Sequence, residues 1–133
     1  METVKALTLD IKEDGWEKSR GFFMRDIPMP VLDEKNNPAD ATSVILKIRY
    51  AGFCGSDRGI WYRDAFHDMV HDSLARENKT LRILGHEFVG EIVGMGSMVK
   101  TLYYDPDKNN LAKIEIGGLV SGDSHVTCGR CFQ

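Results

Sequence analysis

Two short motifs govern what this chain can fold into: Cys54-Gly55-Ser56-Asp57 and Gly85-His86-Glu87. Cys54 supplies a thiolate and His86 an imidazole, two ligand types that zinc prefers. They stand far apart in the sequence, so only a fold that brings the chain back on itself can put both on one ion. A hydroxyl (Ser56) and two carboxylates (Asp57 and Glu87) stand beside them. Soft sulfur, borderline nitrogen and neighbouring proton-handling oxygens describe a catalytic zinc centre better than a structural one. A zinc with an open position binds a substrate oxygen as a Lewis acid and lowers its pKa. Ser56 is then placed to pass on the hydroxyl proton. Asp57 is placed to hydrogen-bond the free nitrogen of the ligating imidazole, the usual arrangement around a metal-bound histidine.

The pattern around these motifs reads mainly as strand. Val4 to Asp10 alternates apolar and polar residues and predicts an opening strand. Gly21-Phe22-Phe23-Met24-Arg25 predicts a second, ended by Pro28 and Pro30. Val44 to Tyr50 is β-branched and alternating, and delivers Cys54 at its end. Asp64 to Glu77 switches to helical spacing, with Asp64 as N-cap and Phe66, Val70 and Leu74 as the packed stripe. Phe88 to Gly94 predicts a strand in which Gly90 marks a bulge or a close backbone approach. Asp105 to Asn110 is a turn, and Ile114 to Val120 and Ser124 to Thr127 are short closing strands. Gly94-Met95-Gly96 offers a glycine pair with no helix after it, so it is not a dinucleotide fingerprint. Short strands with Gly and Pro punctuation and short helices predict a mainly β fold, a small barrel or folded sheet in one domain.

Composition removes several classes of function. At 133 residues, 42% hydrophobic and 28% charged, the chain suits a single globular domain. A net charge of −3 argues against nucleic acid. No apolar run reaches a membrane span, and the first residues carry no signal-peptide pattern, so the expected location is cytoplasmic. Three cysteines do not make a closed disulfide framework. Cys128 and Cys131 form a C-x-x-C pair, and two cysteines alone cannot close a tetrahedral zinc site. That pair is either idle or completed by residues beyond Gln133, and as exposed thiols it predicts dimers under non-reducing conditions.

Other candidates read as ordinary structure. His67 and His71 lie four apart on the predicted helix and can face one way, with Asp64, Asp68 and Asp72 nearby. No third ligand is fixed there, so the favoured reading is a solvated acidic face. His125 reads as a packed or exposed strand residue.

Three motifs in order, Ala51 to Asp57, Gly85 to Gly90 and Ser121 to Cys131, make the chain similar to the amino-terminal catalytic domain of the zinc-dependent medium-chain alcohol dehydrogenase family. The resemblance runs over essentially the whole chain, and is nearest to the glucose, threonine and sorbitol types. It implies a GroES-like, partly open barrel here, followed in full-length relatives by a nucleotide-binding Rossmann domain that this chain does not carry. It assigns Cys54 and His86 as catalytic zinc ligands and Glu87 as a carboxylate at the metal. It assigns Ser56 as the proton-relay hydroxyl and Asp57 as the acid behind the histidine. Cys128 and Cys131 match the first two of four cysteines that hold a structural zinc, a set incomplete here.

The implied parent is an oxidoreductase that moves a hydride from an alcohol, polyol or sugar to NAD or NADP while zinc holds the alkoxide. The isolated chain is then expected to be inactive as a dehydrogenase. Its expected partners are a small-molecule substrate and other copies of itself. Gly59 stands where members acting on simple alcohols or threonine often carry a second relay histidine, and Gly118 where an aspartate is common. A non-catalytic module, kept for binding zinc or a partner, is the alternative reading. Zinc-assisted hydrolysis with Glu87 as base is the other enzymatic one.

Overall fold

In the computed structural model the described residues are 2–102, 104–105, 110–111 and 114–123. In chain order they form β1 (Thr3–Asp10), β2 (Phe23–Pro28), a 3-10 turn (Pro38–Thr42), β3 (Val44–Ala51), α1 (Gly55–Tyr62) and α2 (His67–Arg76). There follow β4 (Leu81–Ile83), β5 (Phe88–Met95), α3 (Val99–Leu102), β6 (Tyr104–Asp105), β7 (Asn110–Leu111) and β8 (Leu119–Ser121). Among the described residues the strands make two three-stranded antiparallel sheets and a two-stranded ribbon, and none of these closes on itself. A mainly β fold with short helices, in the manner of a partly open GroES-like barrel, is what the sequence predicts. Among the described residues no helix is long and apolar enough to cross a membrane.

The chain divides into two interleaved compact units, residues 1–29 with 52–86 and residues 30–51 with 87–133. In the first unit β1 is the central strand of the order β2-β1-β4. Its last residues, Thr8, Leu9 and Asp10, are buried, and Leu9 packs with Trp16, Ile60, Val70 and Leu74. Each of these apolar side chains stabilises the unit by about 1.5–3 kcal/mol on burial. Val70 and Leu74 come from α2 as the helical spacing predicts, but Phe66 does not join them and stays 41% exposed.

The reason lies in the link between the helices. The pattern from Asp64 predicts one helix, whereas α1 occupies Gly55–Tyr62 and ends in Arg63 at φ 64°, a left-handed C-cap. The Asp64 amide closes α1 by donating to the Gly59 carbonyl at 2.9 Å. The N-cap of α2 is therefore Phe66, at φ 70°, and not Asp64.

In the second unit β5 is central, in the order β3-β5-β8. The pairing of β3 with β5 slips between Ile45 and Leu46 and again between Ile48 and Tyr50. Gly90 lies opposite Ile48 in this stretch, and a Cβ on it would stand 3.0 Å from the Leu46 Cβ, so the close approach expected at this glycine is present. Of the strand predicted over Ile114 to Val120 only Leu119 and Val120 are extended, in β8, because Ile116 and Gly117 form a turn with Gly117 at φ 88°. The strand predicted over Ser124 to Thr127 lies outside the described residues. A short helix, α3, does follow Gly96, contrary to expectation. Gly96 still has no role in phosphate binding: its amide donates to the Ser43 carbonyl, and its missing side chain is filled by the backbone of Asp40 and Ala41.

Candidate metal centre

The β1–β4 ladder and the start of α1 set the site. Cys54 has extended backbone (φ −81°, ψ 164°) and is the N-cap of α1. Three positions on, Asp57 turns its carboxylate back and Oδ2 accepts the Cys54 N–H at 3.0 Å, half of a capping box. This bond fixes the backbone of Cys54 to a helix whose Ile60 is anchored in the core. The positive end of the helix dipole favours negative charge at that cysteine.

His86 reaches the same place from the other side of the sequence. After β4 the Leu84 amide donates to the Leu7 carbonyl at 2.9 Å, which extends the hold of β1 on the segment. Gly85 then turns the chain at φ 99°, a conformation that side chains beyond glycine rarely adopt. The imidazole that follows has Nδ1 3.5 Å from Asp57 Oδ1, within ion-pair distance, and Nε2 3.4 Å from Ser56 Oγ, at the long end of hydrogen bonding. Asp57 is 2% exposed, so its charge sits against Cys54 and His86 and away from water.

The fold thus brings together both halves of the motif pattern. One donor atom each from Cys54, His86 and Glu87, the last peptide-bonded to His86, lie within 4.8 Å of one another. Bonds of about 2.3 Å to sulfur and 2.0–2.1 Å to nitrogen and oxygen would put donors of one tetrahedron about 3.4–3.6 Å apart. Side-chain rotation alone covers that difference. Thiolate, imidazole and carboxylate form a donor set suited to zinc, and three protein donors leave a fourth position for a substrate. Cys54 and His86 are half-buried and Glu87 is exposed. Cys128, Cys131 and His125 lie outside the described residues.

Gly59 lies on the same helix, with Ala65 and Phe66 in place of open space. A Cβ there would stand 3.1 Å from the Ala65 Cβ and 3.3 Å from the Phe66 ring. A histidine at this position would require the 65–66 link to move.

What the motif spacing did not reveal is the helix that carries Cys54. α1 is short, has Gly59 inside it and starts on a cysteine rather than on serine or threonine. The available signal is Asp57 three residues after Cys54, the acid of a capping box. Gly85, likewise, is visible in the sequence as part of a motif, but its positive φ is a fact of the fold.

The model of the alcohol dehydrogenase GroES-like domain matches residues 40–133. The chain belongs to that family. This GroES-like chain is also similar to L-threonine 3-dehydrogenases of Escherichia coli, an oxidoreductase family. It is 32% identical over 114 residues to those of strain K12 / DH10B, of O157:H7 strain EC4115 and of strain SE11. Each alignment covers 84% of this chain and 25% of the relative. The chain therefore spans about a quarter of the length of the curated relatives it matches. No solved structure matches it.

Proposed function

We propose that Cys54, His86 and Glu87 hold the catalytic zinc of a zinc-dependent oxidoreductase of which this chain is the GroES-like part. The observation that carries the reading is the clustering of their donor atoms within 4.8 Å, from two motifs far apart in the sequence. Zinc at this position supplies a Lewis acid for the oxygen of an alcohol, polyol or sugar substrate. In a longer parent NAD or NADP would supply the acceptor for the substrate's hydride.

The chain's own residues have distinct tasks. Asp57 holds the His86 ring by its Nδ1 edge, which leaves Nε2 as the nitrogen for the metal. Its second oxygen holds the Cys54 backbone, so one buried carboxylate orients two of the three ligands. Ser56 stands beside Nε2 and is the group that takes the substrate hydroxyl proton and hands it on toward solvent. Cys128 and Cys131 contribute two thiolates toward a separate structural zinc. Gly59 in place of a relay histidine leaves Ser56 as the proton carrier.

Cobalt titration of the chain carrying Cys128→Ser and Cys131→Ser tests the assignment. Cobalt is expected to give a thiolate-to-metal absorption band, lost in Cys54→Ser and weakened in His86→Gln. An unchanged band in Cys54→Ser would overturn it.

A further inference from the structure

His67-Asp68-Met69-Val70-His71 takes no part in the function proposed above. α2 presents His67 and His71 four residues apart on one face. The rings stack, with centroids 4.0 Å apart and planes 25° from parallel. The His67 Nδ1 lies 2.8 Å from Asp68 Oδ1, and the His71 Nδ1 lies 2.9 Å from the His67 carbonyl oxygen. An ionised carboxylate and a carbonyl have no proton to give. Each Nδ1 therefore carries the hydrogen in the neutral ring, and each Nε2 is left with its lone pair.

Carboxylate and carbonyl partners on the far nitrogen are those that metal-ligating histidines ordinarily have. Trp16, itself 6% exposed, backs both rings edge-on at 5.2 and 5.6 Å and fixes their height above the helix. The Arg63 guanidinium lies over the same indole but is held by the Ile60 and Gly21 carbonyls and the Ser19 hydroxyl. Asp68 and Asp72 supply negative charge on the helix.

We propose that His67 and His71 form a second metal site, a two-imidazole chelate for a borderline divalent cation. The two Nε2 atoms bind the ion and water fills its remaining positions. Bonds of about 2.1 Å place two adjacent nitrogen donors about 3.0–3.4 Å apart. An ion must lie in the plane of each ring, so the rings, now 25° from parallel, open toward one another about the terminal torsion, which in histidine is soft, before both Nε2 atoms face it. The His67 side chain is 48% exposed, so an ion approaches from solvent. Imidazole donors without thiolate select copper and nickel over magnesium and calcium.

Nickel added to the full chain, followed in amide NMR spectra, tests the site. Paramagnetic broadening is expected first at residues 66–72, and again in Cys54→Ser. His71→Gln should weaken nickel binding at α2 at least tenfold while the rest of the spectrum stays in place, since glutamine is a good helix former. Broadening confined to the surroundings of Cys54 and His86 would overturn the proposal and leave the catalytic assignment intact. Broadening of α2 unchanged in His71→Gln would overturn it as well. Broadening at α2 with none at His86 would support this site and count against the other.

Discussion

His86 Nδ1 stands 3.5 Å from Asp57 Oδ1, and the second oxygen of that carboxylate takes the Cys54 N–H at 3.0 Å. One side chain, 2% exposed, thus ties the loop after β4 to the first turn of α1. The fold itself thus positions both Cys54 and His86.

Asp57→Asn keeps the shape of this tie and removes its charge. Zinc affinity is expected to fall by about 10–100-fold, the usual loss when the partner of a ligating histidine is changed. Competition with a chromophoric chelator measures it. Affinity equal to that of the unaltered chain would show that Asp57 does not orient the ligands.

Ser56→Ala separates the relay from the metal. Ser56 Oγ touches His86 Nε2 at 3.4 Å but is not among the three clustered donors. Zinc content is expected to be unchanged. In the full-length parent, kcat is expected to fall about 10²-fold or more, within the range for a lost proton-transfer group. Loss of zinc in this variant would make Ser56 part of the metal's support and not a relay.

The sequence carried the longer strands, Thr3–Asp10, Val44–Ala51 and Phe88–Met95, because their β-branched and alternating residue order reads as strand even where burial in β1 and β3 does not alternate. The two motifs that hold Cys54, His86 and Glu87 were also legible, and the fold brings one donor atom of each within 4.8 Å of the others. The sequence hid α1, whose eight residues include an interior glycine and start from a cysteine cap. The same omission misplaced the start of α2: without Arg63 as a left-handed C-cap, Asp64 looks like an N-cap when its amide in fact closes the previous helix. The three-residue β4 is too short for any periodicity, although it is what brings His86 to β1. Trp16, which packs edge-on against the stacked His67 and His71, is distant in sequence and beyond the reach of helical spacing.

Gly96→Ala tests packing in the second unit. A Cβ at this position would overlap the carbonyl oxygens of Asp40 and Ala41. Backbone atoms on both sides cannot rotate away, so the 3-10 turn must shift and the Gly96-to-Ser43 hydrogen bond suffers. The expected cost is about 3 kcal/mol, the upper part of the range for overpacking. Urea denaturation reads it as a lower midpoint. A midpoint within error of the unaltered chain would mean that residues 38–42 yield freely.

Acid should weaken the first unit through Asp10. Burial by itself pushes that carboxyl up, but the N–H groups of Glu13 and Lys12, the Thr80 hydroxyl and the Arg25 charge together outweigh it. The folded carboxyl is therefore held below its ordinary value of 3.8. The unfolded chain takes up the proton first as the pH falls, so stability supplied by Asp10 is fully present well above 3.8 and drains away below it. The urea midpoint is expected to be level near neutral pH and to decline on acidification through about pH 4. Asp10→Asn lowers the plateau, because a charged acceptor of two amides and a hydroxyl is lost, and makes the acid decline shallower. Parallel declines in the two proteins would place the acid sensitivity on other carboxylates, such as Glu77 beside Arg82 or Glu91 beside Arg49, whose pKa values are also lowered by their partners.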